Sequence, residues 1–175
     1  GVDVVIPSPP RPRRMPRPLA DVDVAALLTV CTQRCEVLVS LAVCEGLRCA
    51  ELHRLDLDDV DIGGRIVFVQ GKGGHQRWVP LTEASAARIA RYCNGDRGWG
   101  GGLLIQNART GDRLSISMIG NRCRQLMIDA GIKRPGVNLH ALRHTAATRL
   151  WMESSDLFMV QQMLGHSSIA TTAAY

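Results

Sequence analysis

The sequence predicts an α+β domain, mainly α-helical, with one small antiparallel β-sheet set inside the helical order. Three observations predict it. Apolar residues recur at helical spacing before residue 53 and again after residue 81. Between those stretches, residues 55–81 switch to period-two alternation punctuated by two glycine turns. The 175 residues, 46% hydrophobic and 21% charged, suffice to bury one core and argue against a disordered chain.

Residues 7–18 read Pro-Ser-Pro-Pro-Arg-Pro-Arg-Arg-Met-Pro-Arg-Pro. Proline removes backbone donors and blocks the helical turn, so residues 1–18 are expected to be an extended basic linker or arm. Arg11, Arg13, Arg14 and Arg17 place much of the formal +5 charge there. The arm reads equally well as a spacer or as a track along a nucleic-acid backbone. Folding is expected to begin near Leu19, giving 19–175 as the domain.

Asp21 is positioned to cap a first helix carrying Val22, Ala25, Ala26, Leu27 and Leu28. A second helix, Gln33 to Glu45, groups Val37, Leu38, Leu41 and Ala42 and stops at Gly46. A short helical segment with Arg48, Glu51 and Leu52 follows. Leu55, Leu57 and Val60 then alternate with aspartates, Gly63-Gly64 turns, and Arg65 to Gln70 reads as a strand. Gly71-Lys72-Gly73-Gly74-His75 is a turn before a second strand, Arg77 to Leu81, with Pro80 at its end or edge. This puts Lys72 on a hairpin tip. Helices are predicted near 82–93 and 115–130, around a glycine-rich loop at 94–102. Asn138 caps a helix to about Glu153, and Asp156 caps another that ends at Gly165. A left-handed cap at Gly165 would turn His166 into a loop, and Ser167 or Ser168 would start a last helix toward Tyr175. Trp78 and Trp151 are expected to be core or interface aromatics.

Composition narrows the function classes. No apolar run approaches a membrane span and no charged-then-apolar leader opens the sequence, so a cytoplasmic protein without a membrane partner is expected. Six cysteines show no paired C-x-x-C spacing, which suggests neither a zinc site nor a disulfide framework. Arginines far outnumber the two lysines, Lys72 and Lys133. Arginine's planar fork suits phosphate, although codon bias explains the same excess.

On the helix after Asn138, Leu139, Leu142, Ala146 and Leu150 share one face, while His140, Arg143, His144 and Ala147 share the adjacent one. Taken alone, the second face reads more simply as a solvated one. His140 and His144 have the spacing of a helical zinc pair, but Ala141 stands where a catalytic Glu would, so no metal is expected.

The assembly of motifs carries more weight. In order the chain holds Gly46-Leu47-Arg48-Cys49-Ala50-Glu51-Leu52, Gly71-Lys72-Gly73, His140-Ala141-Leu142-Arg143-His144, Leu164-Gly165-His166-Ser167-Ser168 and Thr171-Thr172-Ala173-Ala174-Tyr175. These five fragments resemble the tyrosine recombinase, or phage integrase, family over nearly everything from Leu19 to Tyr175. The resemblance implies that family's catalytic-domain fold, with the Lys72 hairpin on its small sheet. It also implies a site-specific DNA strand transferase that cleaves and rejoins through a covalent 3′-phosphotyrosine, with neither ATP nor a metal or other cofactor.

By the same resemblance, Tyr175 would be the nucleophile and Arg48 and Arg143 would bind the scissile phosphate, with His166 as a third donor. His140 would be the base or proton relay for the phenol, Lys72 would protonate the departing 5′ oxygen, and Glu51 would support the site. Arg77 and the four arm arginines would contact DNA. The chemistry is coherent: a phosphodiester gathers negative charge in its transition state, which fixed cationic forks stabilise. A phenol of pKa near 10 needs a base or strongly cationic surroundings to attack.

The implied partners are a double-stranded recombination site, a homotetramer on DNA (the free fragment being a monomer) and accessory DNA-bending proteins, at the nucleoid of a bacterial or phage-infected cell. Relatives usually add an N-terminal clamping domain and a tail beyond the Tyr. Here His75 stands where many carry a second basic hairpin residue, and Ser154-Ser155 replaces a common glycine. The alternative functions are a type IB topoisomerase-like nicking-resealing enzyme, a non-catalytic DNA-binding regulator and, more distantly, a metal hydrolase.

Overall fold

The computed structural model describes residues 18–133 and 138–165, with the backbone alone at Lys72. Leu19 fastens the segment that leads into the first helix: its N–H donates to Thr145 Oγ1 (2.8 Å), whose hydroxyl in turn donates to Ala141 O (2.8 Å). Three helices follow, α1 (Asp21–Thr29), α2 (Gln33–Val43) and the short α3 (Cys49–Arg54). The cap of α1 differs from expectation. Ala20 occupies that position and its N–H donates to Asp23 Oδ2 (3.4 Å), while Asp21 lies in the first turn and pairs with Arg149 (2.5 Å).

The helix α2 is the core's axis. Val37, Leu38, Val39, Leu41, Ala42 and Val43 are all essentially excluded from solvent, because α4 and α6 cover it. Each such Leu or Val contributes about 1.5–3 kcal/mol relative to an exposed one. Gly46 ends this run with φ +68°, and a Cβ there would lie 2.7 Å from Leu164 Cδ2. Glycine is therefore required twice, for the turn and for the close approach of the chain's later end.

The sheet is antiparallel in the order β1 (Val60–Asp61), β2 (Ile66–Gln70), β3 (Gln76–Pro80). Val67, Val69 and Val79 face the core, and the hairpin register pairs Val69 with Arg77. The alternation seen from Leu55 yields little strand. Leu57–Asp59 is a single 3₁₀ turn in which Asp59 Oδ2 accepts from the Asp56 N–H (2.9 Å), satisfying locally the backbone a strand would have paired. Trp78 is not a core residue: it is 61% exposed and packs its ring on Phe68, centroids 4.9 Å apart. Trp151 is half-buried.

Beyond the sheet come α4 (Glu83–Tyr92), α5 (Ile116–Asp129), α6 (Leu139–Ser154) and α7 (Leu157–Leu164). Thr82, Ser115, Asn138 and Asp156 cap them with side-chain oxygens. The glycine-rich loop between α4 and α5 is ordered by a cation: Arg97 donates to the carbonyls of Gly98, Gly100, Gly102 and Leu103. Asp56 and Leu103, and Gln106 and Arg113, form bridges that periodicity did not anticipate. The cysteines are all free thiols. Among the described residues no helix is long and apolar enough to cross a membrane. The arm 1–17, with Arg11, Arg13, Arg14 and Arg17, lies outside the described residues, as do His166, the expected last helix and Tyr175.

Candidate active site

The site is built around one carboxylate. Arg48 sits at the N-cap position of α3 in extended backbone, so that Glu51 falls on the first turn and reaches back to it. Glu51 Oε2 accepts from the Arg48 N–H (2.8 Å) and Oε1 accepts from Arg48 Nη1 (2.9 Å). The pair Arg48 Nη2 and Gly165 O, 3.3 Å apart, joins this corner to the end of α7. Arg77 approaches from β3 and grips both oxygens, Nη1 to Oε1 (2.8 Å) and Nη2 to Oε2 (3.1 Å), while its Nε donates to Met163 O (2.9 Å).

Arg143 arrives from α6 and is only 2% exposed, an unusual burial for a guanidinium. Its Nη1 donates to Gly46 O and its Nη2 to Leu164 O (2.7 Å), so it bridges the carbonyl ends of α2 and α7. Glu51 Oε2 lies 3.9 Å from Arg143 Nη1, close enough for charge but not for a hydrogen bond. Three guanidinium groups thus share one carboxylate, which leaves an excess of positive charge at this pole. Burial alone would raise the Glu51 pKa. Hydrogen bonds from Arg77 and from the Arg48 N–H, with the two guanidinium charges, outweigh it and hold the carboxyl below its ordinary value.

His140, three residues before Arg143, is exposed, and its N–H donates to Asn138 Oδ1 (2.8 Å) as α6 begins. Its pKa is lowered, first by partial burial and then by the charges of Arg143 and Arg48, so the neutral imidazole is favoured. His144 is buried one turn on, with its pKa also lowered by burial, and its Nδ1 lies 3.3 Å from Thr148 Oγ1. The two histidines are thus in different environments. Among the described residues no group of three or more His, Cys, Asp and Glu is placed to hold a metal ion.

Of the candidate residues, Arg48, Glu51, Arg143 and His140 come together here, and Arg77 joins them. Lys72 lies in a 3₁₀ turn at the tip of the β2–β3 hairpin that also carries Arg77. His166 and Tyr175 follow Gly165 and lie outside the described residues; Gly165 itself has the expected left-handed conformation, φ +60°. Arg77 was expected to face DNA, yet its three nitrogens are engaged within the protein. In β3 it alternates onto the same side as the buried Val79, where a half-buried arginine is suited by the buried acid Glu51. Glu45 was missed altogether. It is buried at the end of α2 and accepts from the Thr82 N–H, the Thr82 hydroxyl and the Ser85 hydroxyl, and nothing local in the sequence distinguishes it from a solvated helix-end acid.

Comparison with known proteins identifies the family and the fold. The family model described as the phage integrase family matches residues 18–175. The tyrosine recombinase XerC of Mycobacterium bovis (strain BCG / Pasteur 1173P2) is 40% identical over 147 residues, covering 81% of this chain and 49% of that protein. The tyrosine recombinase XerD of Yersinia pestis is 32% identical over 181 residues, covering 98% of this chain and 60% of that protein. Among solved structures, the crystal structure of XerA recombinase superposes with a TM-score of 0.83 at 31% identity, over 92% of this chain and 60% of that one. The chain therefore spans about half to three-fifths of the length of these relatives.

Proposed function

This chain belongs to the phage integrase family of tyrosine recombinases, and on that premise we propose that residues 19–175 form the catalytic domain of a site-specific DNA recombinase, with residues 1–18 as a basic arm. The observation that carries the proposal is the convergence of Arg48 and Arg143 on Glu51, beside His140 and at the point where the chain leaves α7 for His166 and Tyr175. Structural anchoring alone would not need two arginines of such different exposure around one acid. A scissile phosphate does need two forks held at fixed spacing.

In this reading the Tyr175 hydroxyl attacks the scissile phosphorus and its proton passes to His140, which the lowered pKa keeps neutral at neutral pH. Arg48 and Arg143 hold the non-bridging oxygens, with His166 as a further donor. Arg143 reaches the phosphate only after its carbonyl partners at Gly46 and Leu164 yield or share it. The P–O5′ bond breaks, Lys72 gives its proton to the departing oxygen, and the 3′-phosphotyrosine conserves the bond for rejoining. No cofactor enters the scheme. The working assembly is a homotetramer on two paired sites, with DNA-bending proteins as accessories and the cytoplasmic nucleoid as the setting. The arm arginines would follow the DNA backbone.

The test is incubation with nicked suicide DNA carrying candidate sites, in the presence of a chelator. A covalent adduct that Tyr175→Phe abolishes is expected; no adduct with a verified cognate site would overturn the proposal. Plasmid relaxation without recombinants would favour a topoisomerase-like enzyme instead. Lys72→Ala is expected to slow cleavage of ordinary DNA and to be rescued by a 5′-thio leaving group, which needs no proton. Lack of rescue would remove Lys72 from the acid's role.

A further inference from the structure

Arg77 is 14% exposed and belongs to none of the five motif fragments, yet it joins three elements at once. From β3 it holds both oxygens of Glu51 on α3, and its Nε holds the Met163 carbonyl near the end of α7. Its guanidinium also lies close against Gly165. A Cβ at Gly165 would stand 2.9 Å from Arg77 Nη1 and 3.1 Å from Cζ, so the bare glycine backbone is what lets the two meet. Arg77 thereby ties the hairpin bearing Lys72 to the point from which His166 departs.

The electrostatics give this tie a consequence. Glu51 stands 2.9 Å from the Arg48 guanidinium and 3.9 Å from that of Arg143, and Arg77 binds both its oxygens through the guanidinium, whereas Arg48 reaches Oε2 only with its backbone N–H. Without Arg77, the buried carboxylate, already paired with Arg48, would turn toward Arg143, and that fork would be less available to a phosphate. A lysine could not replace Arg77, because a single ammonium cannot hold two carboxylate oxygens and a carbonyl in one plane.

We propose that Arg77 is a positioning residue for DNA cleavage rather than a DNA contact: it holds the Glu51 carboxylate short of Arg143 and fixes the chain that leads to the His166 segment. This rests on the recombinase reading above. The test measures single-turnover adduct formation for Arg77→Met, Arg77→Lys and Arg77→Met/Glu51→Gln, with non-covalent DNA affinity read in a Tyr175→Phe background. Arg77→Met should slow adduct formation about 100-fold, as small misplacements of reacting groups do, with affinity nearly unchanged. Arg77→Lys should stay folded by circular dichroism and remain slow. The double variant should recover at least about tenfold over Arg77→Met, because the misdirected charge is gone.

A wild-type rate in Arg77→Met would overturn the proposal, as would an affinity loss that tracks the rate or the absence of any recovery on adding Glu51→Gln. Should the wild-type chain form no adduct, that failure belongs to the recombinase reading, and hydrogen exchange decides for Arg77. Arg77→Met must then speed exchange at the amides of Leu164 and Gly165 relative to those of α2; unchanged exchange would overturn the tie.

Discussion

Two carboxylates six positions apart, Glu45 and Glu51, are both almost wholly buried, yet their surroundings oppose each other. Glu45 follows the end of α2 and, among the described residues, is met by neutral donors, the Thr82 N–H and hydroxyl and the Ser85 hydroxyl, which dock the start of α4 against it. Burial pushes its pKa up, and those hydrogen bonds only partly offset the rise. Glu51 opens α3 and is met by guanidinium groups, which reverse the effect of burial and hold it ionised. Between the two lies the Gly46 turn. One side of it fastens helices, and the other concentrates positive charge. The difference teaches that a buried acid marks a candidate site when its partners are charged, and a structural clamp when they are neutral.

The largest effect should come from removing each acid. Glu51→Ala takes the carboxylate from the nearly buried Arg77 and from Arg48 and removes a charge near buried Arg143, and a cost of about 3–5 kcal/mol is expected. Glu45→Ala strands the Thr82 and Ser85 donors and should cost about 1–3 kcal/mol. Urea unfolding of both variants checks the order; equal losses would break the distinction between hub and clamp.

The pH dependence should be smaller and opposite in sign. The folded pKa of Glu51 is lowered, so its stabilisation is complete above the ordinary value of 4.5 and is lost as pH falls through the folded value. The folded pKa of Glu45 is raised, so its contribution is complete below 4.5 and is lost as pH rises through the folded value. Glu51→Gln should therefore flatten the acid side of the stability profile. Glu45→Gln should lessen the decline on the side toward neutral pH. Melting temperatures across the acid-to-neutral range check both signs.

The smallest effect sharpens the clamp. Thr82→Ala removes the α4 cap and one Glu45 partner, and should cost about 1 kcal/mol. That cost should shrink in a Glu45→Gln background, since the two side chains act together. Thermal unfolding of the four proteins in the cycle measures it; strict additivity would separate the cap from the clamp.

Much of this was legible in the sequence because local chemistry wrote it there. Thr82, Asn138 and Asp156 stand where their helices start, the glycines at 46 and 165 end helices, and period-two spacing marked the hairpin. The α1 cap and the 55–61 stretch misled because aspartate side chains served backbone groups other than those assumed. The motif residues Arg48, Glu51, His140 and Arg143 could be picked out by type and order. The partners that tune them could not, because Arg77 reaches Glu51 across 26 positions and Arg143 reaches Gly46 across 97. Trp78 shows the same limit from the other side: its exposed place follows from a cross-strand pairing with Phe68 rather than from its own hydrophobicity.

The most direct test of the account is a peptide map of the DNA-linked protein formed on suicide DNA with chelator present. One modified peptide is expected, with the nucleotide joined through its 3′ phosphate to Tyr175. Attachment to another residue, linkage through a 5′ phosphate, or loss of the adduct on chelation would contradict it.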